Sequence, residues 1–300
     1  MDLKKQRKGI LLVIISAVFW GMSGSTAQFL FHNENLNMQW LVAVRLLTAG
    51  SIFLIYTFFK IKDGIWKIWK HGRDGLNLVF FGIFGMLGIQ YTYFATIKYS
   101  NAPTATIMQC LAPVLITCYL TIKFRKFPSL REITAVMLAI LGTFLIITKG
   151  NIHSLSISKT ALFWGILSAF AAAFYTVQPC HLIQKWGSTL VIGWGMLIGG
   201  ILFSLLVHNP FDFTGKACLY SILGIIFIIL FGTIIGFYCY LESLKYISPT
   251  TASVLDCVEP LTAAFLSIVW LHVSFGIEEW TGTILIIATI IILSKKQKVS

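Results

Sequence analysis

The sequence predicts an all-α integral membrane protein with ten transmembrane helices, arranged as two inverted five-helix repeats. Three observations lead to this fold class: the composition, ten long apolar runs, and a repeat of the first half of the chain in the second. The 300 residues are 57% hydrophobic and only 11% charged, whereas a soluble domain carries about 25% charged residues. A chain of this composition belongs in a lipid bilayer.

Ten apolar runs approach or exceed the roughly 20 helical residues needed to cross a bilayer. We name them span 1 to span 10, in chain order: 10–31, 38–59, 76–97, 102–122, 132–148, 160–182, 189–207, 217–241, 249–271 and 279–294. Helices are the expected spanning structure because they satisfy their backbone hydrogen bonds internally, where lipid offers no partners.

The net charge of +12 indicates topology rather than nucleic-acid binding. With ten spans and the amino terminus inside, eighteen of the 23 lysines and arginines fall in cytoplasmic segments, and Arg45 falls within span 2. This asymmetry follows the positive-inside rule. We therefore expect a multi-pass protein of the cell membrane with both termini in the cytoplasm, the lipid bilayer as its surroundings and no nucleic-acid partner.

An internal repeat relates the two halves at an offset of 147 residues. The segment "YTYFATIKYSNAPTATIMQCLAP" (91–113) aligns without gaps with "YCYLESLKYISPTTASVLDCVEP" (238–260), with eight of 23 positions identical. A weaker match at an offset of 152 pairs "SAVFWG" (16–21) with "SAFAAA" (168–173). Because five spans per half is an odd number, residues 1–148 and 149–300 are expected to form repeats of opposite orientation, an arrangement typical of secondary transporters.

Two carboxyl groups, Asp256 and Glu259, interrupt span 9. An acid at the centre of a membrane helix costs about 2.5–3.5 kcal/mol on insertion scales, so such acids are functional candidates. A helix that begins at Pro249 carries Glu259 about 15 Å along its axis, near the bilayer midplane. We expect Glu259 to carry a proton or meet a substrate cation, with Asp256 assisting at a cavity wall. The alternative is a buried structural pair.

The first half has no acids at the equivalent positions, where Gln109 and Ala112 stand instead. Acid chemistry is therefore assigned to span 9 alone. Arg45 is the other charged residue within a span, about 5 Å from Glu259 in depth if span 2 begins near Met38. Two hypotheses follow for Arg45: a structural ion pair with Glu259, or a contact with a substrate carboxylate.

Aromatic and amide side chains within the spans complete the candidate site. Tyr hydroxyls and Gln amides are poorly accommodated in hydrocarbon unless they are hydrogen-bonded, so they are expected to face inward; this inward group includes Gln90, Tyr93 and Tyr240. Aromatic walls beside an acid suit an amine, a quaternary ammonium ion or an amino acid. The predicted substrate-binding residues are Trp20, Tyr91, Gln109, Tyr175, Tyr238, Asp256 and Glu259. Helix-packing roles remain the alternative for each.

Other activities lack their sequence signatures. The six cysteines all lie within predicted spans and form no C-x-x-C pair or metal-like cluster, so no disulfide, metal or cofactor is expected. No H-E-x-x-H, G-x-S-x-G or Walker motif occurs, which argues against an enzyme. A membrane-embedded enzyme and a receptor remain the alternatives of another class, although a receptor has no need of inverted halves.

Several short motifs resemble those of the drug/metabolite transporter superfamily, EamA type. They are "FWG" (19–21), Arg45, "AAFYTV" (172–177), Pro113 and the pair Glu259-Pro260, in family order over nearly the whole chain. The sequence departs from the family where a Gly-Glu pair often follows the fourth helix of each half: it has "KFRKF" (123–127) and "WLHVS" (270–274) there. No role of that glutamate can be transferred to this chain.

The resemblance implies a carrier of small metabolites that acts as a monomer or a homodimer, often moving its substrate outward. Export of amino acids or amines in exchange for protons fits Glu259 best. Uptake of choline-like quaternary amines is the alternative, favoured by the aromatic residues.

Overall fold

A computed structural model shows helices over most of the residues that it describes. The structure describes residues 3–124, scattered positions between 130 and 145, and residues 157–207, 212–216, 218–272 and 276–294. None of these described residues lies in a β-strand. The predicted all-α membrane fold is confirmed.

Eight helices in the described part of the chain are long and apolar enough to cross a membrane. They are span 1 (Leu3–His32), span 2 (Met38–Lys70), span 3 (Gly72–Tyr99), span 4 (Ala102–Phe124), span 6 (Lys159–Trp186), span 7 (Ser188–Leu206), span 8 (Leu219–Ser243) and span 9 (Pro249–Val269). A further helix, Ile277–Ser294, occupies the place of span 10. Predicted span 5, 132–148, lies outside the described residues except at scattered positions, so the count of ten remains a prediction.

Spans 4 and 9 begin in the same way. Asn101 accepts a hydrogen bond from the Thr104 backbone N–H at 2.8 Å, and Ser248 accepts one from the Thr251 N–H at 3.2 Å. Each cap is followed by a proline in the first turn, where the missing N–H of proline costs no helix hydrogen bond. Asn101 and Ser248 are 147 residues apart, so both repeats start their fourth helix at the same position.

Both of these spans are also interrupted in the middle. Span 4 consists of Ala102–Gln109 and Ala112–Phe124, and span 9 consists of Pro249–Leu255 and Val258–Val269. Pro113 and Pro260 follow the interruptions closely. Proline has no backbone N–H to donate to the carbonyl four residues before it. The helical hydrogen-bond pattern is therefore broken one turn before each proline.

Spans 3 and 8 share a second irregularity, a wide π-helical segment at Phe81–Leu87 and at Ile228–Ile235. The two segments begin 147 residues apart. Such segments are rare and occur often at functional sites. Each leads directly into the α-helical part of its span, Gly88–Tyr99 or Gly236–Ser243.

The interrupted spans cross at the centre of the protein. The first half of span 4 packs against the second half of span 9, and the first half of span 9 packs against the second half of span 4. Cys110 and Cys257, which are equivalent in the repeat, belong to one small buried cluster at this crossing, together with Ile107. The two interruptions therefore lie beside each other.

Span 1 supports span 9 from the side through a close backbone approach at Gly21. A Cβ added to Gly21 would lie 2.7 Å from the Glu259 carbonyl oxygen and 3.0 Å from the Ala263 backbone nitrogen. Only glycine permits this distance, because any side chain would collide with backbone atoms. The backbone that carries Glu259 is thereby fixed against span 1.

Candidate functional site

A cavity lies at the crossing, between spans 1, 2, 3, 4, 6, 8 and 9. Seven pairs of its lining residues are related by the repeat offset of 147. The pairs are Gln90/Phe237, Tyr93/Tyr240, Thr106/Ser253, Gln109/Asp256, Cys110/Cys257, Ala112/Glu259 and Pro113/Pro260. The cavity therefore forms where the two related stretches of sequence meet.

The acids of span 9 face this cavity from its interruption. Asp256 lies in the turn between the two half-helices, and Glu259 lies in the first turn of Val258–Val269. Glu259 is buried, with 4% of its surface exposed, and Asp256 Oδ1 is buried without a hydrogen-bond partner. Among the described residues, neither carboxyl group forms an ion pair; the pairs found are Lys185–Asp74 and Lys245–Glu242.

Tyr93 of span 3 is a polar neighbour of Glu259 in the cavity. The Tyr93 hydroxyl lies beside the Glu259 carboxyl group, and it is buried without a hydrogen bond to any described group. The acid therefore has a hydroxyl partner within reach that is not committed elsewhere.

One wall of the cavity is aromatic. The Trp20 ring lies 5.1 Å from Phe237 and 5.2 Å from Tyr240, and Tyr175 stacks on Tyr240 at 5.5 Å. Trp20 Nε1 donates to the Gly232 carbonyl at 2.9 Å, and the Tyr240 hydroxyl lies 3.0 Å from that of Thr176. Aromatic rings of this kind can bind a positively charged ligand through their π-faces.

Arg45 lines the same cavity without contacting the acids. Its Nε donates to Thr233 Oγ1 at 2.7 Å, and its guanidinium lies 4.4 Å from the centre of the Phe94 ring. Within the described part of the chain it forms no ion pair, so the predicted Arg45–Glu259 pair is absent from this structure. Equal depth along two helices does not bring two side chains together, because each helix also has to present the right face.

The two glutamines of the cavity differ in their partners. Gln109 Nε2 donates to Ser168 Oγ at 2.7 Å. Gln90 is 2% exposed, and neither its amide nitrogen nor its amide oxygen has a hydrogen-bond partner. Both polar atoms of the Gln90 side chain are thus buried in the cavity wall without a partner.

Tyr91 and Tyr238, both predicted to bind substrate, lie outside the cavity. Tyr91 packs against Trp164 at 5.2 Å and Phe203 at 5.5 Å, and Tyr238 is exposed on the helix surface. Residues two apart on an α-helix point about 200° apart. Since Tyr93 and Tyr240 face the cavity, Tyr91 and Tyr238 must face away from it.

The other six predicted residues do line the cavity: Trp20, Arg45, Gln109, Tyr175, Asp256 and Glu259. The predicted substrate-binding set missed Gln90, Tyr93, Phe237 and Tyr240. Gln90, Tyr93 and Tyr240 had a signal, because they belong to the polar side chains expected to face inward, whereas Phe237 is apolar and had none. The repeat gives a second signal, because Gln90 is equivalent to Phe237 and Tyr93 to Tyr240.

A second acid in these spans, Glu242 near the end of span 8, has an environment unlike that of Glu259. It accepts hydrogen bonds from Ser188 and from Tyr246 and pairs with Lys245 at 2.7 Å. Lys8 of span 1 donates in turn to the Tyr246 hydroxyl at 3.1 Å. Both oxygens of this carboxylate are bonded within the protein, as expected of a structural acid.

Comparison with known proteins supports the resemblance seen in the motifs. The model of the EamA-like transporter family matches residues 7–148 and 159–295. The chain is 42% identical to the uncharacterized inner membrane transporter YicL of Salmonella typhimurium over 289 residues, covering 96% of this chain and 95% of the relative. It is 25% identical to an uncharacterized transporter of Clostridium kluyveri, covering 97% and 95%.

The fold also matches that of a protein of known crystal structure. The TM-score is 0.64 at 17% sequence identity, and the match covers 97% of this chain and 96% of the other. A family match over nearly the whole sequence, an all-helical membrane fold and a central cavity lined from both halves agree with one another. The chain is a multi-pass membrane protein that belongs to the EamA-like transporter family.

Proposed function

We propose that this transporter exports amino acids or amines across the cell membrane in exchange for protons, with Glu259 as the coupling residue. One observation carries the proposal. Two carboxyl groups face a central cavity without an ion-pair partner among the described residues, opposite an aromatic wall. A buried carboxylate is costly unless a cation or a proton neutralises it. In this cavity the neutralising cation or proton would come from solution.

Competition between the two cations gives the exchange its mechanism. Glu259 binds either a proton or the ammonium group of the substrate, so loading one releases the other. Tyr93 donates its free hydroxyl to the carboxylate in the charged state, and Asp256 adds negative charge one helical turn away. The aromatic wall of Trp20 and Tyr240 stabilises the ammonium by cation–π contacts. For an amino acid, Arg45 meets the carboxylate.

The motion would use the two halves of the chain. We propose that residues 1–148 and 149–300 are inverted repeats that rock about the crossing of spans 4 and 9, opening the cavity to each side in turn. The proposed location is the cell membrane, with both termini in the cytoplasm; the name of the Salmonella relative, an inner membrane transporter, supports the location. Whether the carrier is a monomer or a homodimer does not alter this mechanism, since one chain contains the whole cavity.

The aromatic wall favours a second candidate, uptake of choline-like quaternary amines. A quaternary ammonium ion binds aromatic faces but cannot donate a hydrogen bond to Glu259. The two candidates therefore predict different cargo preferences for the same cavity.

The test is transport by the purified protein in proteoliposomes loaded with radiolabelled amino acids, amines or choline. A pH gradient should drive uphill movement of the cargo of the wild type. Glu259→Gln should bind the cargo more weakly, should still exchange labelled for unlabelled cargo when the cargo concentration is raised, and should no longer respond to the gradient. If the variant keeps gradient-driven transport, the proposed coupling is wrong; if it loses the response to the gradient but binds cargo as tightly as the wild type, the proposed contact between Glu259 and the ammonium group is wrong.

Glu242→Gln is the matched control. It makes the same substitution in an acid whose carboxylate is fully bonded to Ser188, Lys245 and Tyr246. We expect some loss of stability and an unchanged response to the gradient. Binding measured by thermal unfolding gives an independent readout, since a ligand at 100 times its Kd stabilises the folded state by about 2.7 kcal/mol.

A further inference from the structure

Gln90 is buried in the cavity with an amide that the protein leaves unused. It is 2% exposed, it lines the cavity, and both of its amide atoms lack a hydrogen-bond partner. Native proteins provide a hydrogen-bond partner for about 90% or more of their buried polar groups, because a buried group without one destabilises the folded state. An amide kept in this state within a binding cavity points to a ligand that completes its hydrogen bonds.

Two bonded glutamines show that the scaffold can satisfy such side chains. Gln109, in the same cavity, donates to Ser168. Gln28 of span 1, outside the cavity lining, accepts from the Ala102 backbone N–H at 2.7 Å. In the second half, the position of Gln90 is taken by Phe237, which needs no partner. Gln178 has an unpaired amide oxygen but donates through its amide nitrogen to the Asn77 carbonyl at 2.8 Å, so among these four glutamines Gln90 alone has neither amide atom bonded.

The position of Gln90 relates it to the acids. Gln90 and Tyr93 are three residues apart on the same helix, so they share a face about 4.5 Å apart along the axis. Tyr93 in turn lies beside Glu259. A cargo whose ammonium group is held by Glu259 is thus within about one helical turn of the Gln90 amide.

We propose that Gln90 is the specificity-determining residue of the cavity. Its amide oxygen accepts a hydrogen bond from the cargo N–H, and its amide nitrogen donates to an acceptor on the same molecule. An amino acid with a primary ammonium group satisfies both atoms. A quaternary ammonium ion has no N–H and leaves the amide oxygen buried and unpaired, so the site rejects it. This inference rests on the proposed function and names its substrate class.

Binding of matched ligand pairs to Gln90→Met tests the proposal. The probes are L-phenylalanine, L-leucine, L-threonine and L-lysine, each compared with its Nα-trimethyl betaine, which keeps the carboxylate and the positive charge but lacks the N–H donors. Kd values come from thermal unfolding of the detergent-purified protein. We expect the wild type to prefer at least one amino acid over its betaine by about tenfold or more, and Gln90→Met to reduce this ratio to within about twofold.

Stability without ligand gives a second readout. Methionine has nearly the shape of glutamine and no amide, so Gln90→Met should raise the melting temperature of the ligand-free protein by about 2–4 °C. The matched control is Gln28→Met, which removes a bonded amide outside the cavity. It should lower the melting temperature and leave the preference for amino acid over betaine unchanged.

The outcomes separate this proposal from the one on which it rests. If Gln90→Met melts below the wild type, or keeps the full preference, the role of Gln90 is overturned, whatever Glu259→Gln does. A wild type that binds betaine better than the amino acid overturns it as well and favours the quaternary-amine candidate. If no probe stabilises the wild type, the substrate class assigned to Gln90 is wrong, and gradient-driven transport of amines in proteoliposomes, with and without Glu259→Gln, decides the proposed function separately.

Discussion

Spans 4 and 9 have the same architecture and different chemistry. Both start on a polar cap followed by proline, both are interrupted halfway, and both place a cysteine in the central cluster. Their cavity faces differ in charge at two positions, where Gln109 and Ala112 of span 4 are equivalent to Asp256 and Glu259 of span 9. The repeated sequence thus preserves the backbone, and two side chains confine the charge to one half.

This difference distinguishes residues that maintain the repeated backbone structure from residues that are candidates for binding the cargo. Prolines, caps and cysteines that occur in both halves belong to the shape. Groups that occur in one half only, such as Glu259, Asp256 and Gln90, are candidates for recognition. An asymmetric cavity also gives a bound molecule a fixed orientation, because its positive end has only one acidic side to face.

The largest effect is expected from the glycine that fixes span 9 against span 1. Gly21→Ala would place a Cβ 2.7 Å from the Glu259 carbonyl oxygen, so one of the two backbones must shift. We expect a loss of about 1–3 kcal/mol of stability, measured by reversible unfolding in mixed detergent micelles. At the weaker repeat offset of 152, the residue of span 6 equivalent to Gly21 is Ala173. The glycine that lets span 1 approach span 9 is therefore not repeated in span 6.

Gly88→Ala is the control for this prediction. A Cβ at Gly88 in span 3 would meet its nearest neighbours at 3.5 and 3.8 Å, which is ordinary contact. The same substitution there should stabilise the protein by about 0.4–1 kcal/mol, because alanine loses less backbone entropy on folding. If both variants lose stability equally, the effect of Gly21→Ala comes from the helix and not from its contact with span 9.

A smaller effect on stability is expected from substitution of the two prolines, and comparison with ligand binding distinguishes a structural role from a role in recognition. Pro113→Ala and Pro260→Ala should change stability by similar amounts, differing by less than about 0.5 kcal/mol, because both prolines stand at an interruption of the same kind. Ligand binding should respond unequally. Pro260→Ala moves the backbone next to Glu259 and should weaken amino-acid binding severalfold, whereas Pro113→Ala moves a segment without acids.

The prediction would be contradicted if Pro113→Ala and Pro260→Ala changed stability by different amounts but changed ligand binding equally. Such a result would mean that the two interruptions differ in structural role and that the position of Glu259 tolerates movement of its helix. Thermal unfolding with and without ligand measures both quantities on the same samples.

The sequence alone predicts the membrane class, the repeat and the importance of span 9, because each depends on composition or on spacing along one helix. It does not predict which residue of each tyrosine pair faces the cavity. Tyr91 and Tyr93 are equally polar, and only the rotation of span 3, set by its packing on neighbouring spans, places Tyr93 inside. The repeat narrows the choice by requiring Tyr93 and Tyr240 to behave alike.

The partner of Arg45 is unpredictable for a related reason. The rise per residue gives the depth of Arg45 and Glu259 in the membrane, and depth alone suggests a pair. Thr233 and Phe94 become the actual neighbours through the packing of spans 2, 3 and 8. Depth is local information, whereas the direction of a side chain depends on distant segments.

The smallest predicted effect is the coupling between Arg45 and Glu259. A double-mutant cycle with Arg45→Gln, Glu259→Gln and the double variant should give additive changes in unfolding free energy, with a coupling below about 0.5 kcal/mol. The reason is that Arg45 contacts Thr233 and Phe94 and forms no ion pair with a described residue. A coupling well above that value would mean that the two charges attract each other directly in the resting protein. The same cycle with a bound amino acid should show stronger coupling, because a zwitterion contacts Arg45 with its carboxylate and Glu259 with its ammonium group. Coupling that appears only with cargo would assign the two charges to opposite ends of one bound molecule.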